Sequence, residues 1–232
     1  MKKFGKKYVE ASKKVDKTIS YSIEDAIKLA KETAITNFDG TIDVALNLNI
    51  DPKKQDQQLR GSLVLPNGSG KTKRILVLAK GEQAEVAKTA GADYVGDKDL
   101  IEKIRTENWL DFDIVVATPD MMPEVGKIGK ILGTKGLMPN PKTGTVTPKV
   151  DGVIADIKKG MIEYRTDSNG NIHALIGKVS FDSKALEENL RYVVSTISKS
   201  KPSSVKGALI KNISISTTMG PGIRVAKNSF DN

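Results

Sequence analysis

Residues 65–79 read LPNGSGKTKRILVLA, and the fold depends on how this stretch divides. Its first half looks like the end of a phosphate-binding loop, with Gly70, Lys71 and Thr72 in the order such a loop needs. The complete motif also requires a glycine five positions before Gly70 and a helix after the Lys-Thr pair, whose N-terminus would cradle phosphates. Leu65 stands at the first of these places, and residues 74–79 (RILVLA) read as a buried strand. The stretch is therefore read as a linker that leads into a buried strand.

Downstream of it, EQAEVAKTA, KDLIEKIRTENWL and PEVGKIGKILG read as helices, and ADYVG and FDIVVATP as strands. This is the β-α-β rhythm of a parallel sheet. No Gly-x-Gly-x-x-Gly follows any of these strands, so a dinucleotide site is not expected. DGVIADIKK (151–159) reads as a last short helix, and Lys158-Lys159-Gly160 as a second linker.

Outside the two linkers the texture differs. Ser22 to Asp25 is a capping pattern ahead of Ile23, Ala26, Ile27 and Ala30 at helical spacing. Residues 41–50 (TIDVALNLNI) alternate strictly, placing Ile42, Val44, Leu46, Leu48 and Ile50 on one face of a half-buried strand. Residues 161–166 and 172–179 flank Ser168-Asn169-Gly170 and predict a hairpin. Asp182 is the expected cap of a helix with Leu186, Leu190, Val193, Val194 and Ile197 in one apolar stripe, stopped by Lys201-Pro202. A strand over 208–217 (ALIKNISIST), the loop MGPG and a short strand over 223–226 close the chain.

Composition narrows the function. The 232 residues suffice for one large domain or two small ones, with 38% hydrophobic and 28% charged residues. Without cysteine there is neither a disulfide nor a thiolate metal site, and His173 is the only histidine. A net charge of +9 favours a polyanionic partner. No apolar run approaches the roughly 20 residues of a membrane span. The start, MKKFGKKYVEASKKVDK, has seven lysines and no apolar region behind them, so a cytoplasmic protein is expected. Residues 68–159 carry 15 basic and 13 acidic side chains, and the rest of the chain 22 and 15. The basic excess thus sits in the two ends.

Two stretches concentrate it. Residues 126–149 (GKIGKILGTKGLMPNPKTGTVTPK) contain five lysines, five glycines, three prolines and no acid. This suits a mobile basic surface toward phosphates, although a solvated helix followed by a flexible loop would also read this way. From Asn189 to Phe230 there are seven basic residues and no acid. Within it, Ser214 and Ser216 face away from Ile213 and Ile215, and short hydroxyls there can donate to phosphate and 2′-hydroxyl oxygens. Met219 can pack on a base or sugar, and Gly220 and Gly222 permit close backbone approach. On these residues alone, an ordinary strand end with a Gly-Pro turn is the better reading.

The ordered series KKY, LPNGSGK, VATPDMMPEVGKIGKILGTKGLMPNPKTGTV, GNIHALIGKVSF and STTMGPG resembles the bacterial large-subunit ribosomal protein L-one (stalk protein) family along nearly the whole chain. The resemblance implies two domains. Residues 1–67 and 160–232 would form a discontinuous α+β sandwich that binds RNA, and residues 68–159 an inserted Rossmann-like three-layer α/β domain on two hinge strands. It implies a non-enzymatic protein that binds large-subunit ribosomal RNA at the mobile side stalk, assists release of exit-site tRNA and represses its own operon by binding the mRNA. The residues implied for RNA are Thr36, Phe38, Thr41, Arg165, His173, Lys178, Lys211, Ser214, Ser216, Thr217, Thr218, Met219, Gly220 and Gly222. Lys127, Lys130, Lys135 and Lys142 would make a secondary contact to tRNA. No cofactor, metal or membrane partner is expected, and the free protein is expected to be monomeric. The competing readings are a nucleotide-dependent enzyme using Lys71, Thr72 and Asp120, and a general basic chaperone that binds RNA without preference for a folded site.

Overall fold

The structure, a computed structural model, describes residues 5–230; Lys2 and Lys3 of the basic start lie outside the described residues. In chain order the elements are α1 (Lys6–Lys13), α2 (Ile23–Glu32), β1 (Thr41–Leu48), β2 (Arg60–Val64), β3 (Ile75–Leu78), α3 (Glu82–Thr89), β4 (Tyr94–Gly96), α4 (Lys98–Glu107) and β5 (Ile114–Ala117). There follow α5 (Met122–Lys127), α6 (Gly129–Thr134), α7 (Val150–Lys159), β6 (Met161–Arg165), β7 (Asn171–Lys178), α8 (Ser183–Lys199), β8 (Ile210–Thr217) and β9 (Ile223–Val225). The chain divides into two compact units, one taking residues up to Gly70 and from Ile162 onward, the other Lys71–Met161.

In the first unit β1 is central to an antiparallel sheet of order β7-β1-β8-β9. Its alternation is the reason: Ile42, Val44, Leu46 and Leu48 are buried, while Thr41, Asp43, Ala45 and Asn47 are half-buried. α2 and α8 pack on the apolar face, contributing Ile23, Ala26, Ile27, Leu186, Leu190, Val193 and Ile197 to one core. The hydroxyl of Ser22 accepts from the Asp25 N–H at 3.2 Å and donates to the Asp25 carboxylate at 2.7 Å. Ser22→Ala is expected to cost about 1 kcal/mol, read as a lower Tm of the intact chain. Asp182 stands at the start of α8, but its side chain makes no capping bond, contrary to the expectation. The 17-residue helix is held instead by its buried stripe.

The hairpin expected over 161–179 is only local. The Asp167 carboxylate accepts from the N–H groups of Asn169 and Asn171 at 2.8 and 2.7 Å, and a single bridge joins Thr166 to Ile172. Beyond that bridge the strands part: β6 pairs with β2, and β7 with β1. A turn signal reaches only a few residues, and which strand each arm pairs with is settled by the faces it must bury.

The stretch read as a linker is pinned to the first unit as far as Gly70. Asn189 on α8, fully buried, accepts from the Asn67 N–H at 3.0 Å and donates to the carbonyls of Gly68 and Ile176 at 3.2 and 2.8 Å. Asn67 in turn donates to Glu188 at 2.8 Å, and Ser69 is buried.

The second unit carries the parallel sheet β4-β3-β5. Every residue of β3 is buried because both faces are covered, which explains the unbroken apolar run ILVLA at 75–79. Leu76, Leu78, Val115 and Ala117 pack against Ile101, Ile104, Met121, Val125, Ile128 and Leu132, and α3 and α7 pack together on β3 and β5. The helix expected over PEVGKIGKILG breaks in two at Ile128, whose backbone (φ −102, ψ 9) leaves helical geometry while its side chain stays buried. Gly126 and Gly129 flank the break and weaken helix on either side of it. Among the described residues no helix is long and apolar enough to cross a membrane.

Candidate nucleic-acid interface

Two loops meet at one end of the four-stranded sheet. The Thr41 N–H donates to the Thr218 hydroxyl at 3.0 Å, and the Thr218 N–H donates to the Thr41 carbonyl at 2.9 Å. This bracket joins the segment before β1 to the turn after β8. From it project the two most exposed large apolar side chains among the described residues, Phe38 at 65% and Met219 at 73%. Met219 has φ +64, a left-handed conformation that costs a non-glycine residue on the order of 1–2 kcal/mol. An apolar side chain held strained and bare to water is the pattern of a contact residue.

Across the open face of the same sheet, cross-strand neighbours form rows. Lys178 lies opposite Thr41, and Leu175, Asp43 and Ser216 follow. The next row is His173, Ala45, Ser214 and Arg224, and the last is Asn171, Asn47 and Asn212. Apart from Leu175 these rows carry small, polar or basic side chains, as expected of a face left to solvent. His173 is exposed, with Nε2 at 3.6 Å from the Asp167 carboxylate. That carboxyl is held below its usual range chiefly by the Asn171 N–H.

The structure therefore gathers Thr36, Phe38, Thr41, Lys178, Thr218, Met219 and Gly220 at the sheet end, with Ser214, Ser216 and His173 behind them. Others it places differently. Thr217 is 5% exposed, on the core face with Ile213 and Ile215, and its hydroxyl has no hydrogen-bond partner. Its parity in the alternation of β8 already carried that signal. Lys211 sits where the register slips between Asn47 and Leu48, six residues or about 20 Å along the strand from Thr217. Arg165 is exposed on β6, in the two-stranded sheet. A Cβ at Gly222 would meet only open space, whereas one at Gly220 would lie 2.1 Å from the Thr217 hydroxyl. Gly220 is thus required by its own turn.

In the second unit Lys127, Lys130, Lys135 and Lys142 are all exposed, but the Lys127 ammonium is held by Glu124 at 2.7 Å. The loop expected to be mobile is tied down. Thr143 and Thr145 are buried, the Asn140 N–H donates to the Thr145 hydroxyl at 2.8 Å, and Val146 bridges Ala117 at the end of β5. Residues missed by sequence reasoning are Asp39, inside the segment TNFDGT, and Ser180; an acid within an otherwise uncharged exposed segment was the available signal.

Among the described residues no group of three or more His, Asp or Glu is placed to hold a metal ion. A sheet end with fixed apolar tips, a small polar face behind it and a chain of net charge +9 define a basic protein built to bind a polyanion. Residues 30–221, most of the chain, match the Ribosomal protein L1p/L10e family. The Large ribosomal subunit protein uL1 of Macrococcus caseolyticus (strain JCSC5402) is 56% identical over 232 residues, covering all of both chains. The chain belongs to this ribosomal protein family, and is accordingly a structural protein and not an enzyme.

Proposed function

We propose that the protein is a structural component of the large ribosomal subunit that binds folded ribosomal RNA at the side stalk through the sheet end formed by residues 36–41 and 218–220. The observation that carries this reading is the paired exposure of Phe38 and Met219 on loops bracketed together by Thr41 and Thr218. Close apolar and stacking contacts depend on RNA shape, whereas lysine and arginine contacts to phosphate are salt-sensitive and indifferent to sequence. On this reading residues up to 67 and from 160 onward form the RNA-binding domain. The inserted domain presents Lys130, Lys135 and Lys142 to exit-site tRNA and assists its release, and a matching fold in the protein's own mRNA lets it repress its operon.

The test is binding of a stalk-region ribosomal RNA fragment and a scrambled hairpin across a salt series. Phe38→Ala is expected to weaken the cognate RNA by about 1–3 kcal/mol and the scrambled one far less. Met219→Gly separates recognition from stability. It relieves the left-handed strain while adding chain entropy of about 0.5–1 kcal/mol, so Tm holds or rises, yet cognate binding falls. If both variants keep the cognate-to-scrambled ratio of the parent, recognition lies elsewhere.

A further inference from the structure

An acid stands in the middle of this surface. Asp39 follows Phe38 directly and is exposed, where a carboxylate repels an incoming phosphate chain. Its bonds explain its presence. One carboxylate oxygen accepts from the Ser180 N–H at 3.1 Å and the other from the Ser180 hydroxyl at 2.8 Å. The Asp39 carbonyl accepts from the Lys178 ammonium at 3.1 Å, and the Gly40 carbonyl from the Val179 N–H at 2.9 Å. From two residues earlier in the chain, the Thr36 hydroxyl donates to the Phe38 carbonyl at 3.0 Å. The backbone from the Phe38 carbonyl to Gly40 is therefore held, although the ring itself is mostly bare.

We infer that Asp39 and Ser180 are positioning residues for RNA recognition, a clamp that fixes the Phe38 segment to the end of β7 so that the ring is preset to stack. Lys178 belongs to the clamp, with an ammonium proton directed to the Asp39 carbonyl and not only outward to phosphate. A loop ordered before binding avoids the entropy of ordering it in the complex. The inference rests on the proposed RNA-binding role of the sheet end.

Charge and positioning predict opposite signs. Removing a carboxylate from an RNA-binding surface should, by electrostatics alone, tighten every RNA. If Asp39 positions Phe38, Asp39→Ala instead weakens the stalk-region RNA by roughly three- to tenfold while the scrambled hairpin binds equally or more tightly. Asp39→Asn keeps an acceptor for the Ser180 N–H and is expected to restore the parent ratio. Ser180→Ala, which leaves the charge unchanged, should lower the ratio less than Asp39→Ala. Phe38→Ala is measured alongside, with thermal melts of every variant. Cognate binding that tightens in Asp39→Ala together with the scrambled hairpin, while Phe38→Ala still lowers the ratio, overturns the clamp and leaves the interface standing. An unchanged ratio in Phe38→Ala overturns both. A ratio lost equally in Asp39→Ala and Asp39→Asn shows that restoring the acceptor for Ser180 does not restore recognition, and also overturns the clamp.

Discussion

Asn189→Leu is expected to destabilise the first unit by about 2–4 kcal/mol, the largest stability effect of any substitution considered for this chain. Leucine has the branching and heavy-atom count of asparagine, so no cavity forms. What is lost is the pairing of the buried Ile176 carbonyl and of two part-buried groups, the Asn67 N–H and the Gly68 carbonyl. A buried polar group left without a partner costs about 1–3 kcal/mol, and the two part-buried groups add a smaller share. Relaxation of the Asn67–Gly68 segment toward water offsets part of the sum, because Asn67 is near the surface and Gly68 sits at a turn. Denaturant unfolding followed by a probe in the first unit is the measurement. A loss below 1 kcal/mol would mean that these groups find other partners and that the segment before Gly70 is not anchored by α8. Asn189→Asp is a useful companion. It keeps the acceptor for Asn67 but buries an acid, whose carboxyl would be raised above its ordinary value. For a raised acid the unfolded chain loses its proton first, so the variant should lose stability as pH rises through the unfolded value and up to the folded one.

The second large effect is expected at Gly220. A Cβ there would stand 2.1 Å from the Thr217 hydroxyl and 3.3 Å from the Thr217 carbonyl. Thr217 is buried in the strand and cannot swing clear, so the turn must open. Opening breaks the Gly220 N–H bond to the Thr217 carbonyl and loosens the Thr41–Thr218 bracket that sets Met219. Gly220→Ala should therefore cost about 1–3 kcal/mol of stability as an overpacked site. On the proposed function it should also cost cognate RNA affinity by a similar amount, with Gly220→Val worse. Thr217→Ala alone is expected to be nearly neutral, since its hydroxyl is buried without a partner. Combined with Gly220→Ala it removes the colliding oxygen, and the pair should recover at least 0.5 kcal/mol, roughly the threshold of a measurable coupling. Absence of any recovery would show that the turn rejects a side chain for another reason, such as collision with the Thr217 backbone.

Several features were legible in the residues alone, for reasons that are local. The alternation of residues 41–48 settled which face of β1 is buried, because side chains of a strand alternate by necessity. The unbroken run ILVL marked a strand covered on both faces, and Leu65 with the strand after Thr72 argued against a phosphate loop. The partial exposure of Ser214 and Ser216 followed from the same parity, which also placed Thr217 inside, against its assignment to the RNA surface. Met219, an odd position that parity alone would bury, is exposed because the chain has left the strand at a left-handed turn.

Other features were decided only when distant segments met. Asp39 and Ser180 are 141 residues apart, and Thr41 and Thr218 are 177 apart, so neither the clamp nor the bracket has a local signature. The turn over 167–170 could not reveal that its two arms enter different sheets, since a strand chooses its partner by the surface it must cover. Asn189, which stands beside Leu190 on α8, carries no local sign of its role. Only the return of Asn67 and Gly68 onto that helix made its amide the anchor of the segment, because a buried amide acquires a role from the groups it satisfies.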